Sequence, residues 1–250
     1  MSDLSVVTIA CYRDVAQLNE QTQALRLSCA IKATGVELWI TQVGDPWHNF
    51  YYNKVIRFLD DLKSRRRRPK YLLYCDAADT LLLRDPAEIV TILGDYGKPI
   101  VIGAEAVCWP WPKRHGPQFE NRPSGLSYPQ AGVWLGEYDA VVGVLENIVR
   151  MVTADEEKYV EGKYEFRTED QCCWTERIIK GDDIAIDTKA RLVANMNNAP
   201  VDMFQMRDDG VRHTTTSQRP FVLHWAGGAE SKQNLRDYAR RFLQGRNSNV

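Results

Sequence analysis

A chain of 250 residues with 44% hydrophobic and 26% charged side chains can bury one large core and has the balance of an ordinary globular protein. Its formal charge of −1 supplies no global field toward nucleic acid or an anionic membrane, so any such attraction would need a local patch. No apolar run reaches the roughly 18 residues of a membrane helix, the start MSDLSVVTIACYRD has neither the basic nor the long apolar region of a secretory signal, and six cysteines without a C-x-x-C pair favour reduced thiols and a cytoplasmic location.

The first hundred residues alternate strand and helix patterns. Leu4–Cys11 predicts a strand, and Asp14 with Gln17 reads as a capping box opening a helix to about Lys32. Val36–Val43 predicts a second strand. Tyr52, Val55, Ile56, Leu59 and Leu62 recur at helical spacing, and Arg65–Arg68 with Pro69 close that helix. Tyr71–Asp76 is a third strand. Asp85-Pro86-Ala87-Glu88 is a second capping box, with proline at the first helical position and a helix running to Gly94. Pro99–Ala104 is a fourth strand. This order predicts an α/β fold with a mainly parallel sheet and helices on both faces.

After Glu105 the texture changes. Val107–Tyr128, rich in proline and carrying Trp109, Trp111 and Phe119, reads as a long ordered loop of the functional kind. Ser127–Gly136 predicts a strand, and Val141, Val144, Leu145, Ile148, Val149 and Val152 mark a helix. Thr168 and Gln171 form a third capping box before a helix to about Lys180. Short strands are expected at Ile184–Ile186 and Arg191–Ala194, a mobile polar loop at Arg207–Arg219, a strand at Phe221–His224 and a last helix from about Gln233 to Leu243. With no repeat or linker, one domain over residues 1–250 with an elaborated C-terminal half is the simplest organisation.

The chemistry concentrates at strand ends. Asp76 and Asp79 close the apolar run YLLYC with only alanines between them, and carboxylates in so apolar a setting are costly unless paired or metal-bound. Aspartates after strands are also common turn residues, but the carboxyl end of a parallel strand is where ligands bind, and such a pair suits magnesium or manganese. His224 follows an apolar run and precedes Trp-Ala-Gly-Gly. As a lone residue it is a half-buried strand-end histidine; beside the two aspartates it would complete a mixed nitrogen and oxygen ligand set. Asp170 and Glu169 fit the first turn of a helix without any chemistry. Lys54 is a solvated lysine or a phosphate contact. Arg65–Arg68 precedes the third strand and so falls at the opposite end of the sheet from Asp76. Lys113, Arg114, His115 and Arg122, interleaved with aromatics, are the better candidates for acceptor contacts.

Taken in order, VVTIACYRD (Val6–Asp14), NKVIRFLDDL (Asn53–Leu62), YCDAADTLLL (Tyr74–Leu83), GAE (Gly103–Glu105), AGVWLG (Ala131–Gly136), EDQ (Glu169–Gln171) and LHWAGG (Leu223–Gly228) resemble the GT-A fold of nucleotide-sugar glycosyltransferases. Within that fold the chain is similar to the glycosyltransferase domain of procollagen lysyl hydroxylases and its viral and bacterial relatives. The resemblance implies a Rossmann-like nucleotide-binding half over residues 1–105 and an acceptor and sugar half over residues 106–250. It implies metal ligation by Asp76, Asp79 and His224, and base or nucleotide contacts from Thr8, Tyr12 and Lys54. Gly227 would lie near the diphosphate and Asp170 near the transferred sugar, and Asp170 and Glu105 are the candidates for a catalytic carboxylate.

Two departures stand out. Gln130-Ala131-Gly132 replaces the family's common Asn-Ser-Gly, and Glu230 stands where a lysine usually follows the histidine by six positions, with Lys232 the nearest substitute. The expected activity is transfer of a hexose or pentose from a UDP-sugar, with Mn2+ or Mg2+, to a hydroxyl acceptor. A hydroxylated protein side chain is the acceptor the resemblance suggests. A hydroxymethylated DNA base, a glycan or lipid-linked acceptor, and an inactive sugar-nucleotide-binding protein are the alternatives.

Overall fold

Every residue of Leu4–Ala10 (β1) is buried, and a strand without a solvent face belongs inside a sheet covered on both sides. The protein, seen in a computed structural model that describes residues 3–10, 14–33, 35–42, 48–154, 160–161, 164–165 and 168–244, is built around that strand. Asp14 caps α1 (Val15–Lys32), its carboxylate accepting from the Gln17 N–H at 2.8 Å as the sequence predicts. β2 (Glu37–Gln42) and β3 (Tyr71–Cys75) lie parallel to β1 on its two sides. Between them a π-helical stretch, Tyr52–Arg57, leads into α2 (Phe58–Ser64). Such turns recur at functional sites, and this one carries Lys54.

β4 (Thr80–Leu82) leaves the main sheet after a tight turn. The second capping box departs from expectation. The Asp85 carboxylate accepts from the Ala87 N–H, one residue short of capping-box spacing, which closes a 3-10 turn at Pro86–Glu88. α3 (Thr91–Tyr96) follows as a separate helix and ends at Gly97, whose φ of 62° suits glycine. β5 (Ile100–Glu105) precedes the long loop, which contains α4 (Pro112–His115) and a 3-10 turn, Gly116–Gln118. Then come β6 (Tyr128–Glu137), α5 (Tyr138–Thr153), the short antiparallel pair β7 (Val160–Glu161) and β8 (Tyr164–Glu165), α6 (Asp170–Ile179), β9 (Ile184–Ile186) and β10 (Val193–Asn195).

The expected mobile loop at 207–219 is instead mostly a hairpin of β11 (Phe204–Arg207) and β12 (Gly210–His213). Its inner residues Phe204, Val211 and His213 are buried, and the His213 Nε2 sits 3.1 Å from the Ser124 carbonyl. Of the polar residues that suggested a loop, Arg207 and Arg212 are exposed on the ribbon, Asp208 and Asp209 make its turn, and Thr214–Arg219 follow it outside any strand. β13 (Val222–His224) and α7 (Ala229–Gln244) complete the described chain.

The main sheet runs β2-β1-β3-β6-β5-β9. It is parallel except for β6, which pairs antiparallel with both β3 and β5. A second sheet, β10-β13-β4, lies beside it, with β13 antiparallel to β4 and His224 opposite Thr80. That pairing carries His224 to the turn holding Asp76 and Asp79. Val141, Leu145 and Ile148 of α5 pack on one layer of the sheet with Trp111 and Trp174, while Leu25 and Cys29 of α1 help fill the other. Trp111, expected among acceptor-loop aromatics, is fully buried. A side chain of that kind contributes roughly 1.5–3 kcal/mol by burial, so it anchors the loop to the core.

Candidate active site

The site forms where β3 stops. The Asp76 N–H donates to the Gly132 carbonyl at 2.8 Å and the Thr80 hydroxyl donates to the Asp76 carbonyl at 2.6 Å, so the turn is held by β6 on one side and by the Thr80 side chain on the other. Trp225 N–H donates to the Asp79 carbonyl and Met196 N–H to the His224 carbonyl, which locks β13 and β10 against that turn. The result places Asp76, Asp79 and His224 with ligand atoms all within 4.8 Å of one another. His224 Nε2 lies 3.7 Å from Asp76 Oδ2 and 3.6 Å from Asp79 Oδ1, and it is buried without a hydrogen-bond partner.

A buried nitrogen facing two carboxylates across more than hydrogen-bond distance is left without a partner. A divalent cation accepting one atom from each would engage all three together, so the donor set fits Mn2+ or Mg2+. Burial raises the Asp79 carboxyl, but the neighbouring His224 and Lys54 outweigh it and hold the group below the usual range, ready to bind a cation.

Gly132 explains why no side chain follows Ala131 here. A Cβ on it would run into His224 Cε1 and lie 2.7 Å from Nε2 and 2.8 Å from Asp76 Oδ2. Gly132→Ala should therefore leave the fold in place but weaken Mn2+ binding by at least 10-fold, in the range typical of disturbed metal surroundings. Isothermal titration with Mn2+ checks it, and unaltered affinity would mean that the triad does not hold the ion.

Lys54 reaches in from the π-helical turn. Its Nζ is 2.6 Å from Asp76 Oδ1 and 3.7 Å from Asp170 Oδ2, and it sits over the Phe50 ring at 5.2 Å. Burial opposes its charge, yet Asp170, Asp76 and Asp79 together raise its pKa and keep it an ammonium. Tyr74 donates from its hydroxyl to the same Asp76 oxygen at 2.9 Å while stacking on Trp134. Asp170 is itself raised by burial and by Asp76, with Lys54 pulling it down.

The opposite wall is organised by Gln171. The predicted capping box does not form: Glu169 is the N-cap residue, it makes no capping hydrogen bond, and the Thr168 hydroxyl donates to the Glu165 carbonyl. Gln171 instead donates from Nε2 to Glu105 Oε1 at 2.6 Å and to the Trp109 carbonyl at 2.9 Å, and accepts from the Ala131 N–H at 3.3 Å. Partners remote in sequence outcompete the local cap. Burial pushes the Glu105 carboxyl up to about 8 against the opposing hydrogen bond from Gln171.

These walls enclose a cleft of about 560 Å³ that holds Lys54, Asp76, Asp79, Glu105, Asp170 and Gly227 from the sequence reading. Phe50, Trp109, Asn197 and Lys232 join them. Phe50 and Asn197 carried no motif signal; only their placement reveals them. Gly227, with φ of 137°, is also hemmed in by Ser231, so glycine is required there. Thr8 is fully buried inside β1 and is not in the cleft wall. Tyr12 lies outside the described residues. Two of the four loop candidates are tied into the fold: Arg114 Nε and His115 Nε2 both contact Glu176 Oε1, at 2.7 and 2.8 Å, anchoring α4 to α6. Burial opposes ionisation of Glu176, but those two partners hold it at about 2.

Asp76, Asp79 and His224, which could hold a metal ion, stand at the end of a parallel strand beside the cleft, and the comparisons identify the fold as that of a GT-A glycosyltransferase. The chain belongs to the family described as the PLOD GT domain, which matches residues 2–246. No curated protein sequence matches it. Among solved structures it is similar to a glycosyltransferase involved in glycosylation of the major capsid of PBCV-1, with 10% identity, a TM-score of 0.55, and 94% of this chain and 98% of that chain covered. It is similar to the galactosyltransferase LgtC, solved in complex with donor and acceptor sugar analogues, at 13% identity and TM-score 0.55, covering 94% and 95%. It also matches half of the bifunctional glycosyltransferase WbbM, at 14% identity and TM-score 0.56, covering 95% of this chain and 50% of that one. At these identities the likeness concerns the fold. Among the described residues no helix is long and apolar enough to cross a membrane.

Proposed function

We propose that this protein transfers a sugar from a UDP-sugar to a hydroxyl acceptor, with Mn2+ or Mg2+ held by Asp76, Asp79 and His224. The observation that carries the reading is the unsatisfied His224 Nε2 facing both carboxylates at the wall of the cleft. Bound there, the divalent ion would supply positive charge to the departing diphosphate. Lys232, whose ammonium makes no ion pair among the described residues, lies across the same cleft with Gly227 and would bind the diphosphate in place of the family's lysine six residues after the histidine. Lys54 holds Asp76 and Asp170 in fixed relation, so that the sugar side of the cleft stays aligned with the metal side. We read residues 1–105 as the nucleotide-binding half, with Thr8 and Tyr12 near the base, residues 106–250 as the acceptor and sugar half, and the cytoplasm as the site of action.

Asp170 and Glu105 are the carboxyl groups available for the reacting sugar. Their environments divide the work. Asp170 beside an ammonium suits an ionised acceptor of a hydroxyl proton, and Glu105 suits donation of a hydrogen bond to a sugar hydroxyl. The carboxylates of Glu169 and Asp170 on the acceptor wall repel a phosphate backbone, which favours a hydroxylated protein side chain over a modified base in DNA. Trp109, about one-third exposed at 36%, offers a face for an acceptor to stack on. The test is a panel of nucleotide sugars with Mn2+, scored for hydrolysis and thermal stabilisation. UDP-sugars should stabilise and turn over; a preference for GDP- or CMP-sugars, or no response to any donor, would sink the reading.

The Glu105 assignment has a pH signature. Its folded pKa of about 8 lies above the ordinary carboxyl value, so the folded state binds a proton that the unfolded state releases near pH 4.5. The resulting stability is fully present below about pH 4.5 and is lost as pH rises toward and through 8. Urea midpoints from pH 5 to 9 should fall more steeply for the wild type than for Glu105→Gln. Parallel curves would show that Glu105 is ionised throughout.

A further inference from the structure

Asn195 belongs to none of the motifs and does not line the cleft, yet it touches the metal triad. It is 2% exposed at the end of β10 and pairs in register with His224 of β13. Its Nδ2 donates to the Ala104 carbonyl at 2.6 Å, and its Oδ1 lies 2.7 Å from His224 Nδ1. We infer that Asn195 is a positioning residue that fixes His224 as the Nδ1–H tautomer and so presents the Nε2 lone pair to the metal site. The inference rests on the metal reading of Asp76, Asp79 and His224.

The proton's position follows from what each partner can do. A backbone carbonyl only accepts, so the amide group facing Ala104 is the NH2 and the group facing His224 is the oxygen. Turning the amide over would set two oxygens against each other at 2.6 Å. With Oδ1 facing it, Nδ1 must donate, and in a neutral imidazole that leaves Nε2 with its lone pair. The same atom is the buried, unpartnered nitrogen between Asp76 and Asp79. Gly103 makes room for this device, because a Cβ there would sit 3.1 Å from Asn195 Nδ2 and 2.8 Å from a Val193 methyl. The Ala104 carbonyl immediately precedes Glu105, so one amide ties the metal side of the cleft to the sugar side. Amides and carboxylates that orient a metal-bound imidazole through its other nitrogen commonly act in this way.

Two measurements test it. Nitrogen-15 NMR of the wild type saturated with Mg2+ should report the His224 proton on Nδ1; a proton on Nε2 instead overturns the inference without any variant. The second compares Asn195→Leu with Asn195→Asp. Mn2+ titration and pulsed EPR of the bound ion read affinity and directly coordinated imidazole nitrogen. Asn195→Leu should weaken Mn2+ binding by about 10–100-fold and lose the nitrogen coupling, whereas Asn195→Asp, which gives up the bond to the Ala104 carbonyl but keeps an acceptor for Nδ1, should retain that coupling at a lowered melting temperature. A merely structural asparagine would lower the melting temperature in both variants and leave the coupling intact in both, which overturns the inference. A wild type that binds Mn2+ with no nitrogen coupling overturns the role of His224 while sparing Asp76 and Asp79. One that binds no Mn2+ overturns the metal reading itself, and the inference with it.

Discussion

Asp79→Asn should reduce sugar transfer on the order of 10³-fold, about 4 kcal/mol of lost charge stabilisation, and should also lower the stability of the metal-free protein. The two effects have one cause. Burial opposes the Asp79 charge, but His224 and Lys54 outweigh it and hold the carboxyl below its usual range, so the fold favours that charge. Asparagine keeps the shape and removes the charge, which gives up that stabilisation and deprives a divalent cation of a ligand. Thermal unfolding with and without Mn2+ separates the two. The wild type should gain stability on adding the ion and the variant should gain none. A variant that is stabilised by Mn2+ as fully as the wild type, and that turns over as well, would remove Asp79 from the site.

Lys54→Met should be the most damaging change to the metal-free protein among cleft residues. The ammonium is 12% exposed, its partners Asp76 and Asp170 are 16% and 8% exposed, and removing one member of so buried a group strands the other charges. Breaking such a pair costs about 3–5 kcal/mol, which in a chain of this size lowers the melting temperature on the order of 10 °C. Methionine keeps most of the stem, so lost packing contributes little. Because Mn2+ would take over the neutralisation of Asp76, the ion should restore more stability to the variant than it adds to the wild type. Calorimetry in chelator and in Mn2+ measures both. A variant that melts with the wild type in chelator would mean that water, and not Lys54, satisfies these carboxylates.

Much of this site could be read without coordinates, for a local reason. Asp76 and Asp79 announce themselves because charges are rare in an apolar strand end, and His224 does so through the glycines that follow it. The helices and the parallel strands β1 to β3 follow from periodicity and capping, which depend on residues a few positions apart.

Other features rest on partners far away in the chain. The alternation of strand and helix says nothing of β6 entering antiparallel between β3 and β5, because a strand's direction is set by which edges are open when it docks. Thr168 and Gln171 have capping-box spacing, yet Gln171 finds stronger partners in Glu105, Trp109 and Ala131. Trp111 and Trp109 look alike in a proline-rich loop, and only packing sends one into the core and leaves the other at the cleft. Thus residue types and their short-range spacing were enough to identify the fold class and to single out Asp76, Asp79 and His224 as a group that could hold a metal ion. The register of β13 on β4, the amide that turns His224 and the wall that neutralises Glu105 were decided by tertiary contact, because each depends on hydrogen bonds between groups that share no local sequence.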